Sequence, residues 1–590
     1  MEIIGFDTET FKGKVKVLCN SKGKYIENAD TYSLLDWLYT NSVDIKNGYN
    51  VFYNINYDLF VILKNYITLN YNDVKKQYKE GIKHTFKIKD ITVDYISGKG
   101  FKIIKKGKTR HFYDTANFYT TKHGFLSLET ASAKYLSEHK NNEELGLDRK
   151  KIGSETGYYE KNRDLIIKYC IQDCILTAKL TQKTLDGLKN LNLPIPETLY
   201  SMASVHRWYM GDKGSRAYTN TYYKDIPLSI RDFIEKTYKG GIFKTDKIGY
   251  YENTYNLDIN SAYPSEMINL YDIKGSKLIN IREKSFKDCD YKFYQVKMLL
   301  NPDIPYKTKQ GVRYAYSKEP ETIYITQFDK DYFDLYGFKY DIIDGYGFIT
   351  KKHRLFSYIK NFYDKKKEIK EIYGSDSVEY NLIKLFLNSG YGILAQSKPE
   401  INEYFTNFVY ASYITAYCRR YIMSLKYYIE HNKGKVLAIN TDGILFQIED
   451  INNMLDKLGK DIPYTDKIGK ELNELDFSAY KSAVLFESGV YLLEDMEGKY
   501  ISKTRGYPSF DLSTLKNVEK EIFDLKTTKI MKLNESIIQD TVDEIGNFFV
   551  KNKIFSPYKT YLISRNYEPI KHIKIKSLFE SQITLKYRIY

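Results

Sequence analysis

Short apolar runs alternate with lysine-rich turns over the first third of the chain. This alternation predicts strands, and the segment from Arg163 to Thr184, with apolar residues at helical spacing, predicts a helix. A proline-containing stretch from Asn192 to Pro196 is typical of a linker. Helical spacing resumes from Ser201 to Lys239, and the glycine pair that follows predicts the end of that helix.

The second half of the chain mixes strands and helices. Strands and turns are predicted from Gly241 to about Gly347. Three helices are then predicted, at Phe356–Ile372, Val378–Asn388 and Phe408–Glu430. Two short apolar strands flank Asn440-Thr441-Asp442-Gly443, a sequence that favours a tight hairpin turn.

Length and composition indicate a globular protein of several domains. The 590 residues are 43% hydrophobic and 28% charged, and a domain usually spans about 100–200 residues. No apolar run reaches the ~18 residues of a membrane span, and the start of the chain lacks the basic leader of a secretory signal. The five cysteines form no CxxC pair, which disfavours a zinc ribbon or disulfide scaffold and fits a reducing cytosol.

The formal net charge of +15 favours a polyanionic partner. The 59 tyrosines fit the same interpretation, because their rings can stack on bases. Codon bias is the simpler explanation, since Lys, Asn, Ile and Tyr are all abundant and lysine greatly outnumbers arginine, as in an AT-rich genome. If codon bias produced this basic, tyrosine-rich composition, nucleic-acid binding would use the composition without having caused it.

Three acidic segments in the N-terminal third predict a metal site. They contain Asp7 and Glu9, Asn54 and Asp58, and Tyr169 and Asp173. The first pair follows a buried apolar strand and shares one face of it, and the third pair lies one turn apart on a helix. Each segment alone is more often a solvated turn. Together, their carboxylates suit Mg²⁺ or Mn²⁺, and two such ions can clamp an attacking water and a leaving 3′ oxygen.

A second group of polar residues is spread over the C-terminal half. Asp258 ends an apolar strand that a following proline bars from a sheet interior, and Asp442 lies at the tip of the predicted hairpin. Between them, Lys384, Asn388 and Tyr391 share one helix face that can neutralise a triphosphate and pack on a base. Each residue alone fits a turn aspartate or a core helix, but the ordered set is improbable as coincidence.

In this order the two groups resemble the motifs of family B DNA polymerases. The first group matches the three motifs of the proofreading 3′–5′ exonucleases. Asp258-Ile259-Asn260-Ser261-Ala262-Tyr263-Pro264 resembles motif A, Lys384–Gly392 motif B and Asn440–Gly443 motif C. Tyr238-Lys239-Gly240-Gly241 resembles the Tyr-x-Gly-Gly loop of the protein-primed branch of phages and linear plasmids.

The resemblance implies an α+β multidomain fold, with an RNase H-like 3′–5′ exonuclease domain and a right-hand polymerase of palm, fingers and thumb. The implied domains are an exonuclease at 1–188, a linker with the Tyr-x-Gly-Gly loop at 189–241, palm at 242–355, fingers at 356–395, palm at 396–506 and, by elimination, thumb at 507–590. The first palm segment has room for an insertion that docks a priming protein.

The resemblance also implies residue roles. Metal ligands would be Asp7, Glu9, Asp58 and Asp173 in the exonuclease, where Tyr169 orients the water, and Asp258, the Ile259 carbonyl and Asp442 in the polymerase. Nucleotide contacts would come from Lys384, Tyr263 as the gate against a ribose 2′-OH, Asn388, Tyr391 and one or two fingers lysines, with Lys366 and Lys370 as candidates. DNA contacts would come from Asn54, Asp114, Thr115, Tyr238, Gly240, Gly241, Tyr491 and Lys503. Lys150 and Lys151 are candidates for an exonuclease-site lysine, although a solvated turn explains them as well.

The implied cofactor is Mg²⁺, with Mn²⁺ as the alternative, at two ions per active site. Primer–template DNA and dNTPs are the implied partners, a terminal (priming) protein and a single-stranded DNA-binding protein are further candidates, and no membrane is involved. The expected setting is the cytoplasm of a host, with a bacterial virus or plasmid as the source.

The chain departs from the family pattern in three places. Motif C usually reads Asp-Thr-Asp-Ser, whereas Asn440 and Gly443 replace its first and last residues here. The lysine of the downstream Lys-x-Tyr motif is missing before Tyr491, and Lys503 is a candidate substitute. Only 47 residues separate Gly392 from Asn440, so we expect no large DNA-encircling insertion, and weaker strand displacement and processivity than the protein-primed branch shows.

The sequence therefore favours a replicative DNA-directed DNA polymerase with a proofreading exonuclease. One rival is a nuclease whose polymerase half is degenerate, which Asn440 alone suggests. The other rival is a nucleic-acid-binding scaffold that lost both chemistries, and the retained acids of both sites argue against it. Initiation from a protein hydroxyl and from an ordinary primer both remain open.

Overall fold

The computed structural model describes two compact units. The described residues are 1–64, 84–96, 99–121, 124–140, 144–212, 223, 225–247, 249–308, 311–395 and 405–504, with strands at 562–565, 572–576 and 582–589. Most of the predicted thumb, 507–590, lies outside them. The first unit comprises Met1–Ala217 and Lys360–Ile393, and the second comprises Tyr218–Ile359 and Leu394–Tyr590.

The strands, in chain order, are β1 Glu2–Phe11, β2 Lys14–Asn20, β3 Tyr25–Glu27, β4 Gly48–Phe52, β5 His84–Ile88, β6 Ile91–Ile96, β7 Gly100–Lys105, β8 Lys108–Asp114, β9 Thr120–Thr121, β10 Gly124–Phe125, β11 Phe243–Thr245, β12 Gly249–Ile259, β13 Lys277–Asn280, β14 Tyr291–Met298, β15 Tyr306–Thr308, β16 Gly311–Arg313, β17 Glu321–Thr326, β18 Tyr340–Ile349, β19 Lys435–Asn440, β20 Gly443–Gln447, β21 Leu475–Glu487, β22 Val490–Asp495, β23 Tyr500–Thr504, β24 Leu562–Arg565, β25 His572–Lys576 and β26 Gln582–Ile589.

The α-helices are α1 Thr31–Thr40, α2 Ile55–Ile62, α3 Leu128–Leu136, α4 Arg149–Ser154, α5 Tyr158–Lys161, α6 Arg163–Asn190, α7 Met202–Asp212, α8 Leu228–Thr237, α9 Ala262–Asn269, α10 Gln327–Leu335, α11 Tyr358–Tyr373, α12 Val378–Leu394, α13 Phe408–His431 and α14 Ile451–Lys457. Among these described helices, none has the length and apolar character that a membrane span requires.

The first unit is built on an eight-stranded mixed sheet in the order β3-β2-β1-β4-β8-β7-β6-β5. Strand β1 pairs antiparallel with β2 and parallel with β4. Helix α6 packs on β1 at Gly5, where a Cβ atom would come within 1.9 Å of the Cys174 carbonyl oxygen. Only glycine permits this approach, which brings the middle of α6 against the acidic part of β1.

The second unit is built on a seven-stranded sheet in the order β11-β19-β20-β12-β21-β22-β23. Its central strand β12 pairs antiparallel with β20 and β21. Helix α13, buried along most of its length, packs on the apolar face of this sheet. A four-stranded antiparallel sheet, β13-β18-β14-β17, and the hairpin β15–β16 occupy the interval in which the sequence leaves room for an insertion.

Nearly all of the two helices predicted for the fingers belongs to the first unit, which the sequence analysis did not anticipate. In α12, the Asn381 side chain donates a hydrogen bond of 2.7 Å to the Phe118 carbonyl oxygen. The Phe386 ring stacks on His206 of α7, with 4.2 Å between ring centroids. The predicted domain boundaries themselves stay predictions.

Three predicted elements differ from the observed ones. Strand β1 does not end before Asp7 but runs through both of its acids to Phe11. Pro264 occupies the first turn of α9, where its missing N–H costs nothing. The single helix predicted from Ser201 to Lys239 is two helices, α7 and α8, and most of the interval between them lies outside the described residues.

Candidate active sites

Three acids from two elements converge in the first unit. Asp7 and Glu9 lie on one face of β1, and Asp173 lies on α6. One carboxylate oxygen from each of the three lies within 4.8 Å of the others. Strand alternation sets the first two side chains on the same face, and the close contact of α6 with β1 supplies the third.

The fourth predicted acid, Asp58, lies beside this group. Asn54, in the left-handed conformation with φ 64°, precedes α2 and turns the chain so that Asp58 faces β1. One Asp58 oxygen accepts hydrogen bonds from the Thr8 hydroxyl at 2.7 Å and from the Thr8 N–H at 3.1 Å. The sequence therefore identified four carboxylates that the fold brings together.

Burial and mutual repulsion make these acids hard to ionise. Burial, and then the charges of Asp58, Asp173 and Glu9, raise the pKa of Asp7 well above its usual range. Burial likewise raises the pKa of Glu9 to about 8 and of Asp58 to about 7. Hard cations such as Mg²⁺ and Mn²⁺ prefer carboxylate oxygens and stabilise their ionised form. The donor set therefore fits such ions.

The second pair of acids lies where neighbouring strands meet. The β12–β20 register places Asp258 opposite Gly443, and the Ile259 N–H donates a hydrogen bond of 2.8 Å to the Asp442 carbonyl oxygen. A Cβ atom at Gly443 would lie 2.0 Å from the Asp258 Oδ1 atom. The glycine that replaces the family's serine thus makes room for the neighbouring carboxylate.

Aromatic and amide side chains surround this second pair. Burial and the charges of Asp258 and Asp442 raise the pKa of the Tyr491 phenol, and burial, Cys418 and Asp442 raise the pKa of Tyr263. Both tyrosines therefore lie within the electrostatic field of Asp442. Within the described structure, the Asn440 Oδ1 atom is buried and has no hydrogen-bond partner.

Lysines from α11 and α12 form a cationic cluster in the first unit. Lys384 and Asn388 are exposed on α12, with Tyr391 half-buried on the same helix. Burial, and then the charges of Lys384, Lys367 and Lys370, lower the pKa of Lys366 to about 8. The helices therefore place Lys366 close to Lys384, whereas the sequence could not choose among the α11 lysines.

Comparisons with known proteins identify the family. The model of the family described as DNA polymerase type B, organellar and viral, matches residues 7–409, more than half of the chain. The chain belongs to this family of DNA polymerases. This confirms the family B resemblance inferred from the sequence motifs.

Individual relatives of this polymerase agree with the assignment. A DNA polymerase of Acidianus bottle-shaped virus is 24% identical over 552 residues, covering 87% of this chain and 73% of the relative. Phi29 DNA polymerase complexed with primer-template DNA and incoming nucleotide substrates is structurally similar, with a TM-score of 0.57, 16% identity and 99% and 98% coverage of the two chains. An orthorhombic crystal form of Phi29 DNA polymerase has a TM-score of 0.54 and the same identity and coverage.

These comparisons indicate a viral-type polymerase but do not support the expected bacterial host. The Acidianus relative belongs to an archaeal virus. The sequence analysis had inferred a bacterial source only from the branch that the Tyr-x-Gly-Gly loop resembles. A short loop motif carries no information on the host, which explains the error.

A lysine that the sequence analysis missed lies in the first acidic site of the polymerase. The Lys140 ammonium pairs with the Asp173 carboxylate and donates a hydrogen bond of 3.0 Å to the Tyr169 hydroxyl. Arg149 lines the same cleft. Of the two predicted lysines, Lys150 lines this cleft as well, whereas Lys151 forms a 3.7 Å ion pair with Glu155, the residue that follows its helix. Lys140 follows α3 with no motif around it, so sequence spacing gave no signal.

Asp114 and Thr115 are buried, and their predicted contact with DNA stays a prediction. The Asp114 carboxylate accepts hydrogen bonds from the backbone N–H groups of Asn54 at 2.8 Å, Ala116 at 3.0 Å and Ile55 at 3.2 Å. Thr115 shares a hydrogen bond of 2.7 Å with Thr181. These residues hold the Asn54 turn, and Asn54 itself is exposed in the cleft.

The predicted DNA-contacting residues of the second unit lie on separate elements. The register of β22 and β23 places Lys503 opposite Tyr491 in the ladder, and the substitution of Lys503 for the missing lysine stays a prediction. Tyr238 ends α8 and its ring packs on Phe408 at 5.4 Å between centroids. The glycine pair follows Tyr238 in the chain.

Proposed function

We propose that this protein replicates a viral genome as a DNA-directed DNA polymerase and removes nucleotides from 3′ ends at a second site. The observation that carries this proposal is the presence, in a chain of this family, of two separate groups of carboxylates. One group lies on β1, α2 and α6, and the other consists of Asp258 on β12 and Asp442 in the turn between β19 and β20. Each group has the oxygen donors that a two-metal phosphoryl-transfer site requires.

In the proposed polymerase site, Asp258, Asp442 and the Ile259 carbonyl hold two Mg²⁺ ions, and Mn²⁺ can replace them. The ions would lower the pKa of the primer 3′-OH and neutralise the leaving pyrophosphate. Tyr263 excludes a ribose 2′-OH, and Tyr491 with Lys503 holds the primer strand. All of the residues assigned to this site lie in the second unit.

The nucleotide is proposed to bind through the exposed face of α12. Lys384 and Lys366 neutralise the triphosphate, while Asn388 and Tyr391 contact the nascent base pair. Lys370 adds positive charge to the same cluster. Burial is the main cause of the low pKa of Lys366, and repulsion from the neighbouring lysines lowers it further. A polyanion relieves that repulsion, so the cluster favours triphosphate binding.

In the proposed exonuclease site, a single-stranded 3′ end enters the cleft of about 850 Å³ that contains the four acids. Two aromatic side chains, Tyr57 at 50% exposure and Phe125 at 51%, offer stacking surfaces for its bases. Tyr169 orients the attacking water. Lys140 fixes Tyr169 and Asp173 and supplies the positive charge that a phosphate needs.

Initiation is proposed to use the hydroxyl of a terminal protein, with a single-stranded DNA-binding protein as a further partner. The four-stranded sheet in the second unit offers a surface for such docking. The interval between α12 and α13 comprises only residues 395–407, which leaves little room for a DNA-encircling segment. We therefore expect weaker strand displacement than in the protein-primed branch, and rolling-circle synthesis without accessory proteins would contradict this expectation.

Replacing Lys140 tests the proposed exonuclease machinery. Lys140→Met removes the cation that holds Asp173 and Tyr169, and we expect 3′–5′ degradation of single-stranded DNA to slow by about a hundredfold. Primer extension should keep its wild-type rate. The matched control is Lys151→Met, because that lysine is exposed and pairs with the nearby Glu155. Equal degradation rates for the two variants would exclude the proposed role.

Replacing Lys366 tests the proposed triphosphate contact. Lys366→Met loses a charge-assisted contact, so the KM for dNTPs should rise about tenfold or more. The wild-type KM should also rise between pH 7 and pH 9, because the free lysine loses its proton near pH 8 and a neutral amine binds the triphosphate less well. Lys360→Met, on the same helix, is the control, since Lys360 is exposed and pairs with Asp364. A pH-dependent KM that persists in Lys366→Met would contradict the assignment.

A gel assay on wild-type protein tests the function as a whole. A 5′-labelled primer on a template is incubated with Mg²⁺, with and without dNTPs. We expect extension with dNTPs and shortening without them. Shortening in both lanes would favour the rival nuclease with a degenerate polymerase half, and Asn440→Asp would then be the first variant to test for restored synthesis.

A further inference from the structure

A completely buried ion pair lies in the second unit, outside the proposed catalytic groups. Arg419 of α13 and Asp329 of α10 both have 0% side-chain exposure. The Arg419 Nε and Nη2 atoms donate to the two Asp329 carboxylate oxygens at 2.8 Å and 3.0 Å. Asp329 also closes the capping box at the start of α10. The fork-shaped contact therefore fixes the guanidinium group relative to both helices.

The remaining guanidinium nitrogen of Arg419 holds the Tyr-x-Gly-Gly loop. Its Nη1 atom donates hydrogen bonds to the carbonyl oxygens of Lys239 at 2.7 Å and Gly240 at 2.9 Å. A buried ion pair is generally a poor source of stability, because its desolvation offsets its attraction. Stability therefore does not explain why the ion pair is present. The need to hold the loop in a fixed position does explain it.

The loop in turn contacts the polymerase site. A Cβ atom on Gly241 would lie 2.6 Å from the Thr441 Cγ2 atom and 3.1 Å from the Tyr263 hydroxyl oxygen. The Thr441 N–H donates to the Ile242 carbonyl oxygen at 2.7 Å, and the Cys418 thiol donates to the Thr441 carbonyl oxygen at 3.1 Å. Helix α13 thus contacts the loop through Arg419 and the Asp442 turn through Cys418.

We propose that Arg419 and Asp329 are positioning residues that set nucleotide selectivity by holding Gly241 against Tyr263. The inference rests on the proposed polymerase function, in which Tyr263 rejects the ribose 2′-OH. If the loop is displaced, Gly241 no longer confines the Tyr263 side chain on one side. The side chain can then move away from a ribose 2′-OH, so that a ribonucleotide is accepted. A small displacement of a positioned group commonly changes rates by about tenfold to a hundredfold.

Arg419→Lys tests the proposal, because lysine keeps the charge but lacks the bidentate fork. We expect the ratio of kcat/KM for a dNTP to that for the matching rNTP to fall about tenfold, mainly through a lower KM for the rNTP. Arg420→Lys is the matched control: it neighbours Arg419 on α13, and its guanidinium pairs with Asp331 at 2.9 Å. The same dNTP/rNTP ratio in both variants would overturn the proposal.

Two further variants keep the test decisive if Arg419→Lys does not fold. Gly241→Ala leaves the buried pair intact but pushes the loop from Tyr263, and it should lower the selectivity ratio by a similar factor. The double variant Arg419→Met with Asp329→Leu removes both charges of the pair and should do the same. A wild-type ratio in a folded form of either variant would refute the role. Failure of the proposed function itself looks different, because wild-type protein would then incorporate no nucleotide at all.

Discussion

The variant Asp7→Ala with Glu9→Ala should lose 3′–5′ degradation of DNA by about 10³-fold or more. These two residues supply the strand-borne half of the acidic cluster, and Asp173 then has no partner carboxylate from β1 within 4.8 Å. When two of the four acids are removed, the remaining two cannot bind the metal ions with the same affinity. The rate is measured as release of the 3′ nucleotide from a labelled single strand.

The control for this variant removes two acids that lie elsewhere in the first unit. Glu155→Ala with Asp164→Ala also changes the net charge by two, and both side chains are exposed, at 52% and 82%. We expect this control to degrade DNA at the wild-type rate, and the Asp7 and Glu9 variant to extend primers normally. Degradation that survives the loss of Asp7 and Glu9 would place the nuclease chemistry at other residues.

The second large effect is expected from Asp258→Ala with Asp442→Ala. This variant should lose primer extension by about 10³-fold or more, because it removes both side-chain ligands of the proposed polymerase metals. Degradation of single-stranded DNA should continue. The β12–β20 register that brings the two residues together is formed by backbone hydrogen bonds, so the sheet should persist without the carboxylates.

Primer extension is measured at saturating dNTP, so that weaker nucleotide binding is not mistaken for lost chemistry. Asp456→Ala with Asp461→Ala is the matched control, since both of these acids are exposed in the same unit. We expect this control to extend primers like the wild type. Extension by the Asp258 and Asp442 variant at a comparable rate would show that the assigned acids are not the metal ligands.

The sequence predicted the acids of both sites because local geometry determines their grouping. Asp7 and Glu9 share a face by strand alternation, and Tyr169 and Asp173 share one by helical spacing. The tight turn at Asn440–Gly443 was readable from its residues. Each of these features depends on a few neighbouring positions, so a single sequence suffices to find it.

Features that depend on contacts between residues far apart in the sequence were missed or misassigned. Lys140 reaches Asp173 only through the packing of the loop after α3 against α6, and Arg419 meets Asp329 across 90 positions of chain. The burial of Asp114 was not predicted, because nothing in its own segment reveals that Asn54 and Ile55 donate to it. Arg419 adjoins a second arginine in α13, so the sequence alone could not tell which of the two is completely buried.

The central claim is that one chain carries two independent metal-dependent sites, and nucleotide turnover tests it most directly. Protein, a primer–template, Mg²⁺ and only the next correct, labelled dNTP are mixed, and release of the free dNMP is followed. Wild-type protein should convert dNTP to dNMP continuously, because the polymerase site adds the nucleotide and the exonuclease site removes it. Neither the Asp7 and Glu9 variant nor the Asp258 and Asp442 variant should release labelled dNMP, although the second variant can still release unlabelled nucleotides from the primer. Sustained release of labelled dNMP by either double variant would contradict the account.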